Sequence, residues 1–208
     1  MAHASWLKKD KTSGSGNSTV QFWTEQPYYG RVARSATQVT FSADSGTSTL
    51  TQVVTVTQKA RPEYIDMDAT KTVAKSGGTI TISGVSNTSK ITFSLLTVEG
   101  YESIGLTAPV SYNVGGTSVG NGAEIAGDPG ATDKFNFSVQ FTVPENTSIN
   151  EKRQQLKAVD NAGNIKYCLI SQGAGEATLT VSPLTVEIDA EGTHVSVSVI
   201  SNTSWTVQ

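Results

Sequence analysis

The sequence predicts an all-β protein of two β-sandwiches, and three observations carry that prediction. Gly, Ser, Thr and Val dominate and charged residues make up only 16% of the chain, which suits short strands joined by turns rather than amphipathic helices. The 208 residues suffice for two sandwiches of about 100 residues each. The chain also repeats itself, and an internal period decides architecture before any single residue does.

Two matches define the period. "GTITISGVSNTSKITF" (78–93) parallels "THVSVSVISNTSWTVQ" (193–208) at an offset of about 115, down to a shared Ser-Asn-Thr-Ser. "STVQFWTEQPYYGRVARSATQVTF" (18–41) parallels "FSVQFTVPENTSINEKRQQLKAVD" (137–160) at about 119.

Taken along the chain, the elements follow from alternation and turn chemistry. Val20 and Phe22 share one strand face, as do Val139, Phe141 and Val143 in the second copy, so that face points to the core. Each copy then closes with a hairpin, through "SADSGTSTL" (42–50) or "DNAGN" (160–164), where Asp/Asn and Gly supply the turn. The last strands finish in Gln58 and Gln172. Alternating Val195, Val197 and Val199 predict a further strand near the C-terminus.

The pieces are out of phase with the chain. Residues 1–59 hold only the back half of a unit, about 60–174 a whole one, and about 175–208 only the front half. The predicted domains are therefore a split sandwich, 1–59 plus 175–208, and a central sandwich, 60–174, with an expanded Gly-rich loop at about 97–133.

The segment "LTVSPLTVEIDAEGTHVSVSVISNTSWTVQ" resembles the first half of a BACON domain, a Bacteroidetes-associated immunoglobulin-like module. "ASWLKKDKTSGSGNSTVQF", "RSATQVTF" and "TQVVTVTQKA" are similar to its second half. The resemblance covers both ends of the chain well; the central unit departs from it at Lys90, where the family has a Trp, and in the Gly-rich stretch 114–133. It places Trp6, Trp205 and Asn202 at the join of the split module. A half-sandwich exposes its inner face and its strand edges. Either the halves of one chain reunite, or the C-terminal half of one copy completes the N-terminal half of the next.

Several function classes find little support. A net charge of -3 gives no electrostatic reason to expect nucleic acid, since "LKKDK" is the one dense basic run. No segment approaches the roughly 20 apolar residues of a membrane span, and "MAHASWLKKDK" lacks an apolar stretch of signal-peptide length. The two histidines, His3 and His194, and the lone Cys168 in "IKYCLI" assemble no nucleophilic triad. Asp66 and Asp68 are too few oxygen ligands for a hard cation. No catalytic residue, metal or cofactor is expected. The sequon asparagines Asn17, Asn87, Asn146 and Asn202 are read as turn residues.

The candidate contact patch is Trp23, Tyr28 and Tyr29 in "FWTEQPYYGR", with Arg31 and Arg34. Aromatics and arginines of this kind favour protein interfaces. Exposed aromatic faces also stack on sugars, and a sugar-binding role is what the BACON name implies.

A chain of such modules without a catalytic partner resembles a structural protein of a bacteriophage infecting Bacteroidetes, such as a crAss-like phage. That resemblance implies an auxiliary (decoration) capsid protein on the virion surface. Its partners would be the major capsid protein or copies of itself, with surface glycans or a head or tail fibre role as alternatives.

Overall fold

The computed structural model describes residues 3–208. It is all-β, with fifteen strands, one short 3-10 turn and no α-helix among the described residues. The N-terminal segment carries β1 (Lys8–Lys9), β2 (Phe22–Trp23), β3 (Thr37–Asp44) and β4 (Thr49–Val56). The central sandwich follows with β5 (Ile65–Met67), β6 (Thr70–Val73), β7 (Gly78–Ser86), β8 (Ile91–Thr97), β9 (Ser111–Val114), β10 (Thr117–Gly120), β11 (Phe135–Val143), β12 (Lys152–Asp160) and β13 (Ile165–Gln172). The C-terminal segment carries β14 (Leu179–Ser182) and β15 (Ser198–Ser201).

Strict alternation builds the central core. Along β11, Phe135, Phe137, Val139, Phe141 and Val143 are all buried while Asn136, Gln140 and Thr142 face outward, the period of two that a half-buried strand requires. Facing them from the second sheet are Leu156, Ala158, Cys168 and Ile170, all fully buried. Each such aliphatic or aromatic side chain stabilises the fold by about 1.5–3 kcal/mol relative to exposure. Phe93 packs edge-on against Tyr112, with ring centroids 5.3 Å apart. Gly84 is required beneath Phe137, because a Cβ there would lie 2.3 Å from the ring.

The sheets are interleaved in sequence. One sheet runs β10-β9-β11-β7-β5 and the other β6-β13-β12-β8. Thus β7 pairs with β11, β8 with β12 and β6 with β13, so every one of these front-half strands is hydrogen-bonded to a back-half strand. Neither half closes a sheet by itself.

The Gly-rich stretch is more ordered than a loop. It contains the β9–β10 hairpin, which extends the first sheet, and the 3-10 turn Pro129–Ala131. The predicted hairpins are β3–β4 and β12–β13. Asp44 accepts from the Gly46 N–H (2.8 Å) in the first turn, and Asp160 from the Asn164 N–H (2.8 Å) in the second.

The terminal segments sit at opposite poles of the central sandwich. β7 begins at Gly78 opposite Val143 and ends at Ser86 opposite Phe135. The N-terminal segment docks at the Ser86 pole, where the Arg31 N–H donates to the Gly130 carbonyl (3.0 Å). The C-terminal segment docks at the other, where the Gly175 N–H donates to the Ser148 carbonyl (2.7 Å). Among the described residues no strand of one segment pairs with a strand of the other. The predicted strand at 193–199 is shortened accordingly, and only Ser198–Ser201 is laddered, against β14.

Candidate functional site

The candidate residues cluster at the junction between the N-terminal segment and the central sandwich. Tyr28, Tyr29, Arg31 and Arg34 lie on the loop after β2 and are engaged within the chain. The Tyr28 hydroxyl donates to the Val32 carbonyl (2.7 Å), and the Arg34 guanidinium lies 4.5 Å from the centre of its ring. Arg34 also lies 5.6 Å from the Trp6 ring and donates to the Gln58 side chain (3.0 Å). Lys134 (4.3 Å) and Arg61 (4.7 Å) both lie over the Tyr29 ring, cation–π contacts worth about 0.5–1 kcal/mol each at exposed sites. Arg31 pairs with Asp128 and lies 3.7 Å from Glu63. Tyr28, whose hydroxyl also lies 3.3 Å from the Ala131 carbonyl, Tyr29 and Arg31 therefore join the N-terminal segment to the central sandwich, while Arg34 braces the N-terminal segment itself.

Trp23 differs from them. The residue is 46% exposed, on the strand face opposite half-buried Phe22, with a Lys8–Glu25 ion pair (3.4 Å) on the same ribbon.

The join residues are separated within the chain. Trp6 sits under Arg34 at one pole, whereas Trp205 is half-exposed at the other, in a shallow groove shared with Glu102, Ser148 and Asn150. Glu102 accepts from the Asn150 and Ser148 side chains, which hold its carboxyl below the usual carboxylate range. Trp6 and Trp205 do not form one core in the single chain, because the complete sandwich stands between them.

The signal that sequence reading used for the repeat turns out to be the junction device. Asn87, fully buried, accepts from the Tyr64 N–H (2.9 Å) and donates to the carbonyls of Tyr29 (2.8 Å) and Pro62 (3.2 Å). Asn202 accepts from the Thr178 N–H (2.8 Å) and donates to the carbonyls of Thr147 (3.1 Å) and Glu176 (2.8 Å). Their neighbours match: the Ser86 hydroxyl donates to the Tyr64 carbonyl (2.7 Å) and the Ser201 hydroxyl to the Thr178 carbonyl (2.8 Å). The link itself is fixed in the same way, the Arg61 N–H to Gly30 (2.9 Å) at one junction and the Gly175 N–H to Ser148 at the other. Asn146 is a third buried brace, donating to the carbonyls of Asn150 (2.8 Å) and Gly173 (2.9 Å).

Charge adds one device at each junction. The Arg31 pair with Asp128 locks the first, and Lys75 pairs with Glu176 at the second, where its hydrogen bond lowers the Glu176 carboxyl. Sequence reading missed Glu63, Asp128, Arg61 and Lys134, which lie far along the chain from the residues they meet.

Asp66 and Asp68 are engaged as structural acids. Asp68 accepts from the Ser83 N–H (3.0 Å) and pairs with Lys71 (2.9 Å), which lower its carboxyl, while Asp66 lies 3.4 Å from Lys166. Among the described residues no three His, Cys, Asp or Glu side chains gather as a metal site. Among the described residues no helix is long and apolar enough to cross a membrane.

The sequence matches no protein-family profile and no curated protein. Among solved structures, the chain has a likeness to the sialic acid binding region of the Streptococcus sanguinis SK1 adhesin, bound to 3'sLn. The TM-score is 0.28 at 15% identity, over 54% of this chain and 30% of that one. The match thus spans less than a third of the adhesin chain, and at this level it carries no functional argument.

Proposed function

We propose that this protein is a structural, non-enzymatic component of a virion, an auxiliary (decoration) capsid protein of a bacteriophage, built as a stiff row of immunoglobulin-like modules. The observation that carries the reading is the repeated junction. Asn87 and Asn202 fix successive modules by the same backbone bonds, so module orientation is set by buried or braced hydrogen bonds rather than by a loose linker. A row of modules held in register is what a lattice-covering or spacing protein needs. The BACON-like sequences at both ends supply the phage context by resemblance. The partners are the major capsid protein and further copies of this chain, and the place of action is the capsid surface.

The test is mass spectrometry and antibody labelling of purified phage particles. Stoichiometric presence on the head supports the reading; absence from the particle, or confinement to the tail, overturns it.

A second reading is favoured by one observation, the exposed ring of Trp23. An indole face open to solvent beside polar side chains suits stacking on a sugar, as in a carbohydrate-binding module. Glycan-array binding that disappears in Trp23→Ala would support it, and an array without signal would remove it.

A further inference from the structure

We infer that the first junction carries an anion-binding site: Tyr29, Arg61, Tyr64 and Lys134 form a cradle of donors for a small oxyanion, the phosphate or carboxylate group of a soluble ligand, whose binding clamps the N-terminal segment to the central sandwich. The inference is independent of the virion reading.

Folding draws two cations to one place. The Lys134 ammonium lies 4.3 Å and the Arg61 guanidinium 4.7 Å from the centre of the Tyr29 ring, and Arg61 also lies 5.1 Å from the centre of the Tyr64 ring. Tyr29 comes from the loop after β2, Arg61 and Tyr64 from the stretch leading into β5, and Lys134 from the position before β11. Backbone bonds hold the convergence in place, since the Arg61 N–H donates to the Gly30 carbonyl (2.9 Å) and the Asn87 side chain to the Tyr29 carbonyl (2.8 Å). Like charges brought together repel, and an anion between them relieves the repulsion.

The neighbouring carboxylates are engaged elsewhere. Glu63 and Asp128 face Arg31, Asp66 lies 3.4 Å from Lys166, and Asp133 accepts from the backbone N–H of Lys134 (2.7 Å). Neither Arg61 nor Lys134 takes part in an ion pair among the described residues. The Tyr28 hydroxyl is taken up by backbone carbonyls, whereas those of Tyr29 and Tyr64 have no hydrogen-bond partner among the described residues.

The free groups share one chemistry. An ammonium, a guanidinium and two phenols can all donate. Burial holds the Tyr64 hydroxyl above its usual range although Arg61 pulls it the other way, so it is protonated and donating at neutral pH. The planar Arg fork matches two oxygens of a carboxylate or phosphate, and Lys adds a point charge. The rings are half-buried while Arg61 and Lys134 are exposed, which leaves the charged heads open to a ligand from solvent. Because Tyr29 belongs to one segment and the cations to the other, an anion bound here favours the docked arrangement.

The test is isothermal titration calorimetry of the full chain in phosphate-free buffer with inorganic phosphate, glucuronate and neutral glucose. The expected result is a Kd below about 1 mM for at least one anion, weakening as NaCl rises, and no binding of glucose. Binding of phosphate alone supports a phosphate-bearing ligand, and binding of glucuronate alone a carboxylate sugar. Arg61→Gln and Lys134→Gln should each weaken binding at least ten-fold, with folding checked by far-UV circular dichroism. The control Lys152→Gln, at the start of β12, should leave it within about two-fold. The bound anion should also slow proteolysis of the 26–34 loop several-fold. Failure of both anions to bind, equal binding of glucose, or an affinity unchanged in both Gln variants overturns the site; loop cutting that ignores a bound anion overturns the clamp. Absence from phage particles leaves the inference standing, and its failure leaves the virion reading standing.

Discussion

Asn87 and Asn202 occupy the same position in two copies of one motif and make the same three backbone hydrogen bonds, one copy buried and the other exposed. The difference in burial sets different consequences. Asn87→Ala removes the buried amide from the Tyr29 and Pro62 carbonyls and the Tyr64 N–H, costing about 1–3 kcal/mol. Urea unfolding followed by far-UV circular dichroism measures it, since all three tryptophans lie outside the central sandwich. Asn87→Asp keeps the acceptor but loses both donated bonds, so it should recover only part of the loss.

Asn202→Ala acts on the link rather than on the core. Water can replace its bonds, so the expected stability loss is about 0.5–1 kcal/mol. Its stronger effect is on local opening: limited proteolysis between Gly173 and Thr178 should quicken several-fold, whereas the cutting rate within β11 stays unchanged.

Gly130→Ala tests the close approach at the first junction. A Cβ on Gly130 would lie 2.1 Å from the Asn87 carbonyl oxygen, which is backbone and cannot rotate away. The chain must shift there, at about 1–3 kcal/mol. Thermal unfolding should show a lowered Tm, and release of Tyr29 should appear as faster proteolysis of the 26–34 loop.

Leu156→Ala opens a cavity in the central core, where Leu156 is fully buried, and should cost about 2–5 kcal/mol. Deleting residues 177–208 should leave the central unit's unfolding midpoint nearly unchanged, because its core cluster runs from Ile65 to Ile170. Chemical denaturation of the two variants separates these outcomes.

Cys168 supplies a pH test. Burial pushes its thiol up from 9.0 to about 11, so the folded state favours the neutral form. Its contribution to stability is therefore full below pH 9 and is lost as pH rises towards 11, the unfolded thiol ionising first. The stability difference between the native protein and Cys168→Ala should shrink across that window. Disulfide-exchange reagents at pH 8 should label the thiol only after unfolding.

Much of the architecture was legible because strand faces and turns are local. Val139, Phe141 and Val143 point inward for the same reason that they alternate, and the Asp/Asn-Gly turns sit between paired runs. The candidate patch was only half legible. The sequence reads "YYGRVAR" as a patch for a partner or a glycan, whereas within the chain Arg31 meets Asp128 and Glu63, and Tyr29 meets Lys134, through folding that no local pattern encodes. The clamping role of Asn87 was hidden in plain view in the repeated Ser-Asn-Thr-Ser, since a sequon and a buried amide brace are spelled alike.

The sequence by itself determined the strand faces, the closing hairpins and the out-of-phase repeat, because each is a periodicity carried by neighbouring residues. Tertiary structure decided where the two half-modules lie. β7 carries the N-terminal junction at its Ser86 end, while the C-terminal junction lies at its Gly78 end, so the intact sandwich separates Trp6 from Trp205 within one chain. The physical reason is that strand pairing is a long-range choice, in which a strand takes whichever edge three-dimensional packing brings to it.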